Sequence, residues 1–372
     1  MSATLRQAEL DDCQEATELL RRLGMIMPQG SAMIEAHWRR FWVDNPAFID
    51  GRAKPAKGWL LEEDGRMVGF FGNIPLLYYY GDRPVVVADA SQWGVEKSHR
   101  GETSHLADAY FEQSHADMLL VTTGIKPTGR IFERYGAEQI PQADYDRVMY
   151  WVVDAGGFMA AAFQKKGVPA PLASLGAALG GPLVHTALAL GGRRPKPATG
   201  EIDVIGVGDL GDEFDDLWQR KRDEAPRLLA CRTAHCLRWH FDPPQMAMRT
   251  RFLVHRQGRL KGYAAVMRED APELGLKRLK IVDMFIEQDD ADIFDALLFA
   301  AHEHARGEGC HVMELVGLPE NLRAAALRHR PFGRSMPTWP LYYKALTPAL
   351  VEPLRKQDAW YVTPYDGDTA LL

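Results

Sequence analysis

Apolar residues are patterned most regularly between residues 85 and 137 of the chain. A run of valines at 85–87, followed by Trp93 and Val95, predicts a strand, which small and polar residues interrupt near Asp89. A short polar turn follows. We therefore expect a central strand that ends directly in a tight turn.

The turn leads into an alternation of helix and strand. Leu106, Ala109 and Tyr110 fall on one face of a helix, which predicts an amphipathic element. The wholly apolar run at 118–121 predicts a buried strand, and a second short helix is predicted over 127–136, where a glycine stops it. The predicted order is strand, turn, helix, strand, helix.

Antiparallel strands are predicted ahead of this region. Residues 3–24 predict a strand and an amphipathic helix, and residues 31–50 predict a helix rich in aromatic side chains. Residues 59–71 predict a hairpin around an Asp-Gly turn, and a further strand is predicted at 76–80.

The second half of the chain repeats the first at a nearly constant spacing. Gly65 and Gly258 lie 193 residues apart, and Asp89 and Asp283 lie 194 apart. Phe132 and Leu327 lie 195 apart. Because self-similarity at a fixed spacing marks repeated structural units, the sequence predicts two copies of one fold.

This order of elements resembles the core of the GNAT superfamily of acyl-CoA N-acyltransferases: a strand, the Arg100-Gly101 turn, a helix, a strand and a helix. The tail sequence WYVTPYDGDT is similar to tails of tandem bacterial GNAT proteins associated with polysaccharide or cell-envelope loci. The resemblance implies an α+β fold with two tandem GNAT-like domains, each a mixed, mostly antiparallel sheet flanked by helices. Residues 142–157 are expected to be the closing strand of the first domain.

This resemblance divides the chain into four parts. The N-terminal domain is expected to bind acyl-CoA, and the C-terminal domain is expected to be degenerate. The parts are an N-terminal domain at 1–155, an apolar connector at 156–200, a C-terminal domain at 201–346 and a tail at 347–372. The tail is expected to dock on the body through Trp360 and Tyr361.

In GNAT enzymes the turn binds the pyrophosphate of the cofactor, through backbone N–H groups at a helix N-terminus that also carries a partial positive charge. The resemblance implies that the pantetheine arm of acetyl-CoA or another acyl-CoA lies beside Trp93, Gly94 and Val95. It places the diphosphate on Arg100, Gly101, Glu102, Thr103, Ser104 and His105. An ordinary strand–helix turn with an exposed arginine is the alternative, since Thr103 and His105 replace small residues.

The second copy differs at this turn. Four carboxylates, at Glu287, Asp289, Asp290 and Asp292, replace the Arg-Gly pair and would repel a diphosphate. We therefore expect the second domain to form the opposite wall of a substrate cleft, or only to bury a shared interface.

Asp89 is the predicted general base, because it lies on the central strand just before the turn and burial would raise its pKa. Glu96 and His99 are alternative bases, and a structural Asp at a strand bulge, bonded to backbone, is the non-catalytic interpretation. Family members often carry a tyrosine acid where this chain has Phe132, so Tyr135 is the predicted acid, with Tyr110 as its substitute.

The connector is unusual because residues 167–192 contain no Asp, Glu, Lys or Arg. Two interpretations stay open. It is either a helical connector packed on protein or a helix that associates weakly with a membrane surface between flanking basic pairs.

Composition narrows the class of protein. The 372 residues carry a net charge of −6 and a pI near 6.1, which argues against broad nucleic-acid binding. The four cysteines are scattered, which favours a reducing cytoplasm, and no signal peptide is predicted. Cys231, His235, Cys236 and His240 lie too close along one predicted helix to converge on a metal, so no metal is expected.

Three functions follow from these observations. The first is an N-acyltransferase that moves an acetyl or other acyl group from acyl-CoA to an amine of a small molecule, such as an amino sugar or polysaccharide precursor. The second is a peptidoglycan-type aminoacyltransferase that uses aminoacyl-tRNA. The third is a non-catalytic tandem protein that binds a ligand. The oligomeric state is left open.

Overall fold

The structure is a computed structural model, and it describes residues 3–49, 51–122, 126–169, 171–172, 180–181, 183, 186–187, 191–198, 200–336 and 341–371. Within these residues, two mixed sheets flanked by helices account for the strands of the chain. The predicted α+β class, with one mixed sheet for each half of the sequence, is confirmed.

The first sheet is built mainly from the N-terminal half. Its strands are β1 Thr4–Gln7, β2 Gly58–Glu63, β3 Arg66–Tyr80, β4 Arg83–Val95, β5 Met118–Val121, β6 Glu138–Gln139, β9 Leu228–Ala230 and β15 Tyr342–Ala345. Across the described residues they run in the order β1-β2-β3-β4-β5-β15-β6, and β9 pairs with the end of β3. The strand predicted at 76–80 is the end of β3, because β3 stays paired with β4 along its length.

The second sheet repeats this arrangement. Its strands are β7 Arg147–Val152, β8 Ile202–Ile205, β10 Thr250–Arg256, β11 Leu260–Arg268, β12 Arg278–Ile286, β13 Val312–Leu315 and β14 Phe332–Ser335. In the described chain their order is β14-β7-β13-β12-β11-β10-β8. Read from the opposite edge, this order matches the first sheet strand for strand.

The two halves exchange one strand. β7 pairs antiparallel with β13 and with β14, so it completes the second sheet. β15 pairs antiparallel with β5 and with β6, so it completes the first sheet. The prediction that residues 142–157 close the first domain is therefore wrong, because the slot beside β5 is filled by a strand from the other half.

Helices cover both sheets. Their bounds are α1 Cys13–Arg22, α2 Ser31–Trp42, α3 Thr103–Phe111, α4 Lys126–Arg134, α5 Ala155–Lys165, α6 Asp212–Glu224, α7 Ala234–Phe241, α8 Pro244–Arg249, α9 Ala291–Gly307, α10 Glu320–Arg328 and α11 Pro348–Leu354. The predicted α3 and α4 form where the apolar periodicity placed them, and Gly136 follows α4 with a φ of 78°.

Most of residues 167–192 lie outside the described part of the chain, so the prediction of a membrane-surface helix there is not tested. Among the described residues, no helix combines the length and the apolar character that crossing a bilayer requires. α5 ends before this segment and packs beside the second sheet, where the rings of Tyr150 and Phe158 lie 6.0 Å apart.

Residues 360–371, here called the C-terminal segment, run through the interior between the two sheets. Trp360 and Tyr361 are buried as expected, and the Tyr361 hydroxyl donates to the carbonyl of Met284 on β12. At its other end, the amide of Gly367 donates to the hydroxyl of Tyr78 on β3 at 3.1 Å. The segment therefore contacts both sheets and contributes polar groups to the space between them.

Gly367 is the tightest point of this path. Its φ is 68°, and a Cβ atom there would overlap the side chain of Thr122, just beyond β5. We predict that Gly367→Ala lowers the free energy of unfolding by more than about 2 kcal/mol, through steric overlap added to backbone strain. Gly65→Ala is the matched control, because Gly65 has a φ of 72° but open space around it.

Denaturant unfolding of both variants measures this difference. Gly65→Ala should cost only about 1 kcal/mol of backbone strain. Equal losses in the two variants would show that the C-terminal segment is not packed against Thr122.

Candidate active site

β4 and β5 form a fork in the first sheet. They pair in parallel at three positions, which join residues 87–89 to residues 118–120. β4 then continues to Val95, and a bulge at Gln92, whose φ is 53°, redirects it. We refer to the point where this pairing ends, next to Asp89 and Leu120, as the first fork.

Asp89 lies at the first fork and is fully buried, with neither carboxylate oxygen in a hydrogen bond. Burial raises the pKa of Asp89 well above its usual range, and the charge of Asp368 raises it further. The backbone N–H of Asp368 lies near enough to lower this pKa slightly, but outside hydrogen-bond geometry. The bulge lies at Gln92 and not at Asp89, so Asp89 is not the bulge residue that the non-catalytic interpretation assumed.

Tyr110, on α3, spans the two strands behind Asp89. Its hydroxyl lies 2.9 Å from the carbonyl of Ala88 on β4 and 2.8 Å from the carbonyl of Leu120 on β5. It has one proton, so it donates to one carbonyl at a time. Burial and then the charge of Asp89 raise the pKa of Tyr110 well above its usual value. Tyr110 is thus the tyrosine nearest the fork that the sequence singled out.

Tyr135 lies elsewhere. Its hydroxyl donates to Asp108 at 2.5 Å, and its ring stacks on Phe111 at 4.5 Å, in the helical layer. Burial and this bond raise the pKa of Tyr135 to about 12. Asp89 follows Val85 and Val87 on the face of β4 opposite that layer. The structure therefore does not bring together Asp89 and Tyr135, the predicted base and acid.

The alternative bases lie away from the fork, where each contacts other polar side chains. Glu96 accepts two hydrogen bonds from Arg66, which lower its pKa, and it also pairs with Arg22. His99 is buried and its Nε2 lies 3.0 Å from a Glu63 carboxylate oxygen. Among the candidate bases from the sequence, only Asp89 lies at the fork without a hydrogen-bond partner.

The three predicted pantetheine contacts lie on β4 beyond the fork, and each is partly exposed. The Trp93 ring stacks on Phe71 at 4.7 Å, and its buried Nε1 has no hydrogen-bond partner. A Cβ atom at Gly94 would lie 2.6 Å from Leu23 on α1, so packing alone accounts for that glycine. Val95 ends the strand. Gly94 is therefore not diagnostic of an extended ligand at this edge.

The predicted diphosphate loop is wound into a 3₁₀ turn over Lys97–Glu102. The amide of His99 donates to Glu96 and that of Thr103 to Arg100, so these two donors are occupied. A Glu102 carboxylate oxygen accepts from the amide of Ala3.

The rest of the loop is accessible. Arg100, Gly101, Ser104 and His105 are exposed, and nothing lies within 4 Å of a Cβ atom built on Gly101. A diphosphate could approach Arg100 and the open backbone at Gly101, but the loop does not present the full set of free amides that the sequence predicted.

The second sheet contains a corresponding fork with a different content. β12 and β13 pair over residues 278–281 and 312–315, and Asp283 lies just beyond. Its carboxylate accepts two hydrogen bonds from Arg232, at 2.9 and 3.1 Å, and others from Thr363 and Tyr263. Asp366 also pairs with Arg232 at 3.3 Å. The Asp283 carboxylate in the second fork is thus paired with a cation of the protein itself.

Two of the four acidic residues that replace the loop in the second copy, Glu287 and Asp289, are held in ion pairs. Glu287 accepts hydrogen bonds from Arg220, Arg259 and Lys261. Asp289 accepts hydrogen bonds from Lys221 and Arg227. Asp290 caps α9 by accepting from the amides of Asp292 and Ile293. Repulsion of a diphosphate by free carboxylates is therefore a weaker argument than the sequence suggested.

The sequence analysis missed the residues that the C-terminal segment brings to the first fork. Asp368 is buried and its carboxylate accepts from the Thr122 hydroxyl at 2.5 Å. His37, on α2, lies 3.4 Å from the side-chain amide of Gln92, and burial lowers its pKa to about 4. The spaced aspartates of the WYVTPYDGDT sequence were the available signal, but nothing in their spacing assigns them to a fork in the other half.

The sulfurs of Cys231 and Cys236 lie 3.0 Å apart, and His235 is exposed on the next turn. Over the ranges that the structure describes, no cluster of three or more His, Cys, Asp or Glu side chains is arranged to bind a metal ion.

Solved structures with a similar fold include proteins described as N-acyltransferases. A conserved protein from Enterococcus faecalis, described as a probable N-acyltransferase, has a TM-score of 0.59 at 10% identity, over 93% of this chain and 73% of that one. A GCN5-related N-acetyltransferase from Anabaena variabilis has a TM-score of 0.59 at 11% identity, and the match covers 92% of this chain and 72% of that one. N-myristoyltransferase from Saccharomyces cerevisiae with bound myristoyl-CoA has a TM-score of 0.51 at 13% identity, and the match covers 93% of this chain and 79% of that one.

These similarities show that the chain has the GNAT fold. No protein-family model matches the sequence, and no curated protein matches it.

Asp89 generates a prediction about stability. Because its folded-state pKa is raised, the carboxyl favours the folded state while protonated, and this contribution is lost as pH rises through the folded pKa. Asp89→Asn should melt at least about 2 °C above wild type at pH 8, and the difference should shrink toward pH 4.

Thermal unfolding of wild type and variant across this pH range tests the sign. Asp358→Asn is the control, because Asp358 is exposed near the start of the C-terminal segment. A variant that is less stable than wild type at pH 8 would show that the Asp89 carboxylate is stabilised where it lies.

Proposed function

We propose that the chain is an N-acyltransferase that moves an acetyl or other acyl group from acyl-CoA to an amine of a small molecule. The observation that carries the proposal is the first fork, where the pairing of β4 with β5 ends beside a buried aspartate without a hydrogen-bond partner. An opened strand edge can accept an extended pantetheine arm, and a carboxylate of raised pKa can accept a proton from an ammonium group.

The reaction requires few groups from the protein. The acceptor amine loses a proton to Asp89 and attacks the thioester carbonyl, and the C–S bond breaks as the new C–N bond forms. Negative charge develops on the carbonyl oxygen, and main-chain N–H groups of β4 beyond Asp89 are the nearby donors that could stabilise it. Tyr110, whose hydroxyl lies at the fork, replaces Tyr135 as the acid that we assign to the departing thiolate.

The loop supports the donor only in part. Arg100 and the open space at Gly101 suit a diphosphate, whereas the occupied amides of His99 and Thr103 do not. This mixed result keeps a second candidate, a tandem GNAT-fold protein that binds a ligand without transferring an acyl group. Transfer from aminoacyl-tRNA is less well supported, because the net charge of −6 gives no broad basic surface for RNA.

The finer assignments are extensions of the resemblance. We propose a cytoplasmic location and a tandem protein associated with cell-envelope or polysaccharide synthesis, with an amino sugar or polysaccharide precursor as one possible acceptor. We also propose that the protein associates weakly with a membrane through residues 167–192.

Calorimetric titration tests the donor. We expect acetyl-CoA and desulfo-CoA to bind wild type with a Kd of about micromolar order, and Arg100→Glu to weaken both by at least about 10-fold, because it reverses the charge beside the diphosphate. Arg306→Glu is the matched control, since Arg306 is exposed in the second half. Absence of binding to wild type would remove the acyl-CoA proposal and leave the two alternatives.

The pH dependence of turnover tests the base. For wild type, kcat/KM should rise with pH as Asp89 ionises. Asp89→Asn should lower kcat by about 10²- to 10⁴-fold and should remove that rise, because no carboxylate remains to accept the proton. A variant that keeps the wild-type pH profile would exclude Asp89 as the base.

A further inference from the structure

The cysteines are scattered along the sequence, but the fold brings two of them together. Cys231 follows β9 directly, and Cys236 lies in the first turn of α7, which Thr233 caps. Their sulfurs lie 3.0 Å apart, and both residues are buried. A disulfide has an S–S length of about 2.05 Å, so the two sulfurs need to approach by only about 1 Å. The pair is thus placed for oxidation to a disulfide within the folded chain.

The two thiols differ in reactivity. The Cys236 thiol donates a hydrogen bond to the Cys231 sulfur, and the Thr233 hydroxyl lies 3.6 Å from the same sulfur. Because a donated hydrogen bond favours the thiolate form, the bond from Cys236 lowers the pKa of Cys231 against the effect of burial, and it raises the pKa of Cys236. The positive charge of Arg232, the next residue along the chain, also favours the Cys231 thiolate. Cys231 is therefore the nucleophile of the pair.

The other two cysteines lie in different surroundings and serve as internal controls. Cys13 begins α1, and Cys310 precedes β13. Burial raises the pKa of both thiols, which keeps them protonated at neutral pH. Since the thiolate is the reactive form, both should react more slowly than Cys231.

A small cavity, partly open at the surface, reaches the pair. It has a volume of about 20 Å³, and both cysteines line it together with Tyr78, His240 and Tyr365. Such a volume holds about one water molecule. The buried Nε2 of His240 has no hydrogen-bond partner, so the cavity is not lined by satisfied groups alone. Hydrogen peroxide, which is little larger than water, is the oxidant that suits a cavity of this size.

We propose that Cys231 and Cys236 form a redox-active dithiol, which hydrogen peroxide converts into a disulfide in the folded protein. The Cys231 thiolate attacks one peroxide oxygen, the O–O bond breaks, and hydroxide leaves as the sulfur becomes a sulfenic acid. This hydroxide takes the proton of the Cys236 thiol and becomes water. The Cys236 thiolate then attacks the Cys231 sulfur, the S–S bond forms, and the second hydroxide leaves to be protonated. Two thiols are oxidised, and one peroxide is reduced to two molecules of water.

The modification site lies where the second half of the chain anchors the C-terminal segment. The amide of Cys231 donates to the carbonyl of Leu77 on β3 at 2.8 Å, and its carbonyl accepts from the Tyr365 hydroxyl at 2.7 Å. The following residue, Arg232, pairs with Asp366 at 3.3 Å. The disulfide therefore adds a covalent link between the end of β9 and α7 beside these contacts.

Oxidation of the reduced, folded chain tests the proposal. Hydrogen peroxide is added at neutral pH and removed with catalase, and the chain is then unfolded, labelled with N-ethylmaleimide and weighed by mass spectrometry. We expect four adducts on the reduced chain, one for each cysteine, and two fewer after oxidation, because two cysteines are joined. Peptide mapping should place the bond between Cys231 and Cys236, and dithiothreitol should restore all the adducts.

Two single variants separate the roles of the thiols. Cys236→Ser keeps a hydroxyl that can donate to the Cys231 sulfur but removes the thiol that resolves the sulfenic acid. Peroxide should therefore leave a sulfenic acid on Cys231 that dimedone traps. Cys231→Ser should give at least about 10-fold less dimedone labelling, because Cys236 is not activated. The double variant Cys13→Ser/Cys310→Ser is the matched control, and it should form the disulfide as wild type does.

Three results would overturn the proposal. They are an unchanged number of adducts on the oxidised wild type, a disulfide that involves Cys13 or Cys310, and equal dimedone labelling of the two single variants. None of these measurements uses acyl-CoA, and titration of the reduced chain with acetyl-CoA tests the acyltransferase separately. Failure of either proposal therefore leaves the other standing.

Discussion

The exchange of β7 and β15 between the sheets is the constraint on which the rest of this structure depends. Each sheet is completed by a strand from the other half, so neither half can satisfy the backbone of its own sheet alone. β15 also holds the C-terminal segment in place, because the chain leaves the first sheet at Ala345 and returns between the two sheets after α11. The position of the C-terminal segment, and of the residues it carries, therefore depends on this exchange.

One arginine produces the difference between the two forks. Both have a parallel strand pair that parts beside a buried aspartate, and both are reached by an aspartate of the C-terminal segment. Arg232 makes the second fork a closed ion cluster, and Tyr263 and Thr363 complete the hydrogen bonds of Asp283. In the first fork, no described residue donates a hydrogen bond to the Asp89 carboxylate. The repeat thus has one aspartate that is held by the protein's own arginine and one that has no hydrogen-bond partner among the described residues.

The sequence predicted what depends on neighbours along the chain. The β2–β3 hairpin, β4, α3 and β5 lie where their apolar periodicity placed them, and the spacing of the repeat predicted a second sheet. The exchange could not be predicted, because the apolar strand β7 suits the slot beside β13 as well as the slot beside β5. Asp89 was identified by its place on the central strand, but Asp368 was not, since its role follows from how the C-terminal segment threads the interior. Tyr135 was assigned by its position after α4, and the bond to Asp108 holds it in the helical layer instead.

Burial of Asp89 destabilises the fold, and this favours a functional interpretation of the first fork over a purely structural one. A fully buried ionisable side chain without a hydrogen-bond partner destabilises a fold by several kcal/mol, and an apolar residue of similar size would remove that penalty. The same protein satisfies Asp283 with four hydrogen bonds, so the fold has the means to neutralise such a group. A penalty that the structure relieves at one fork and keeps at the other is what a site needs if its partner must enter, react and leave.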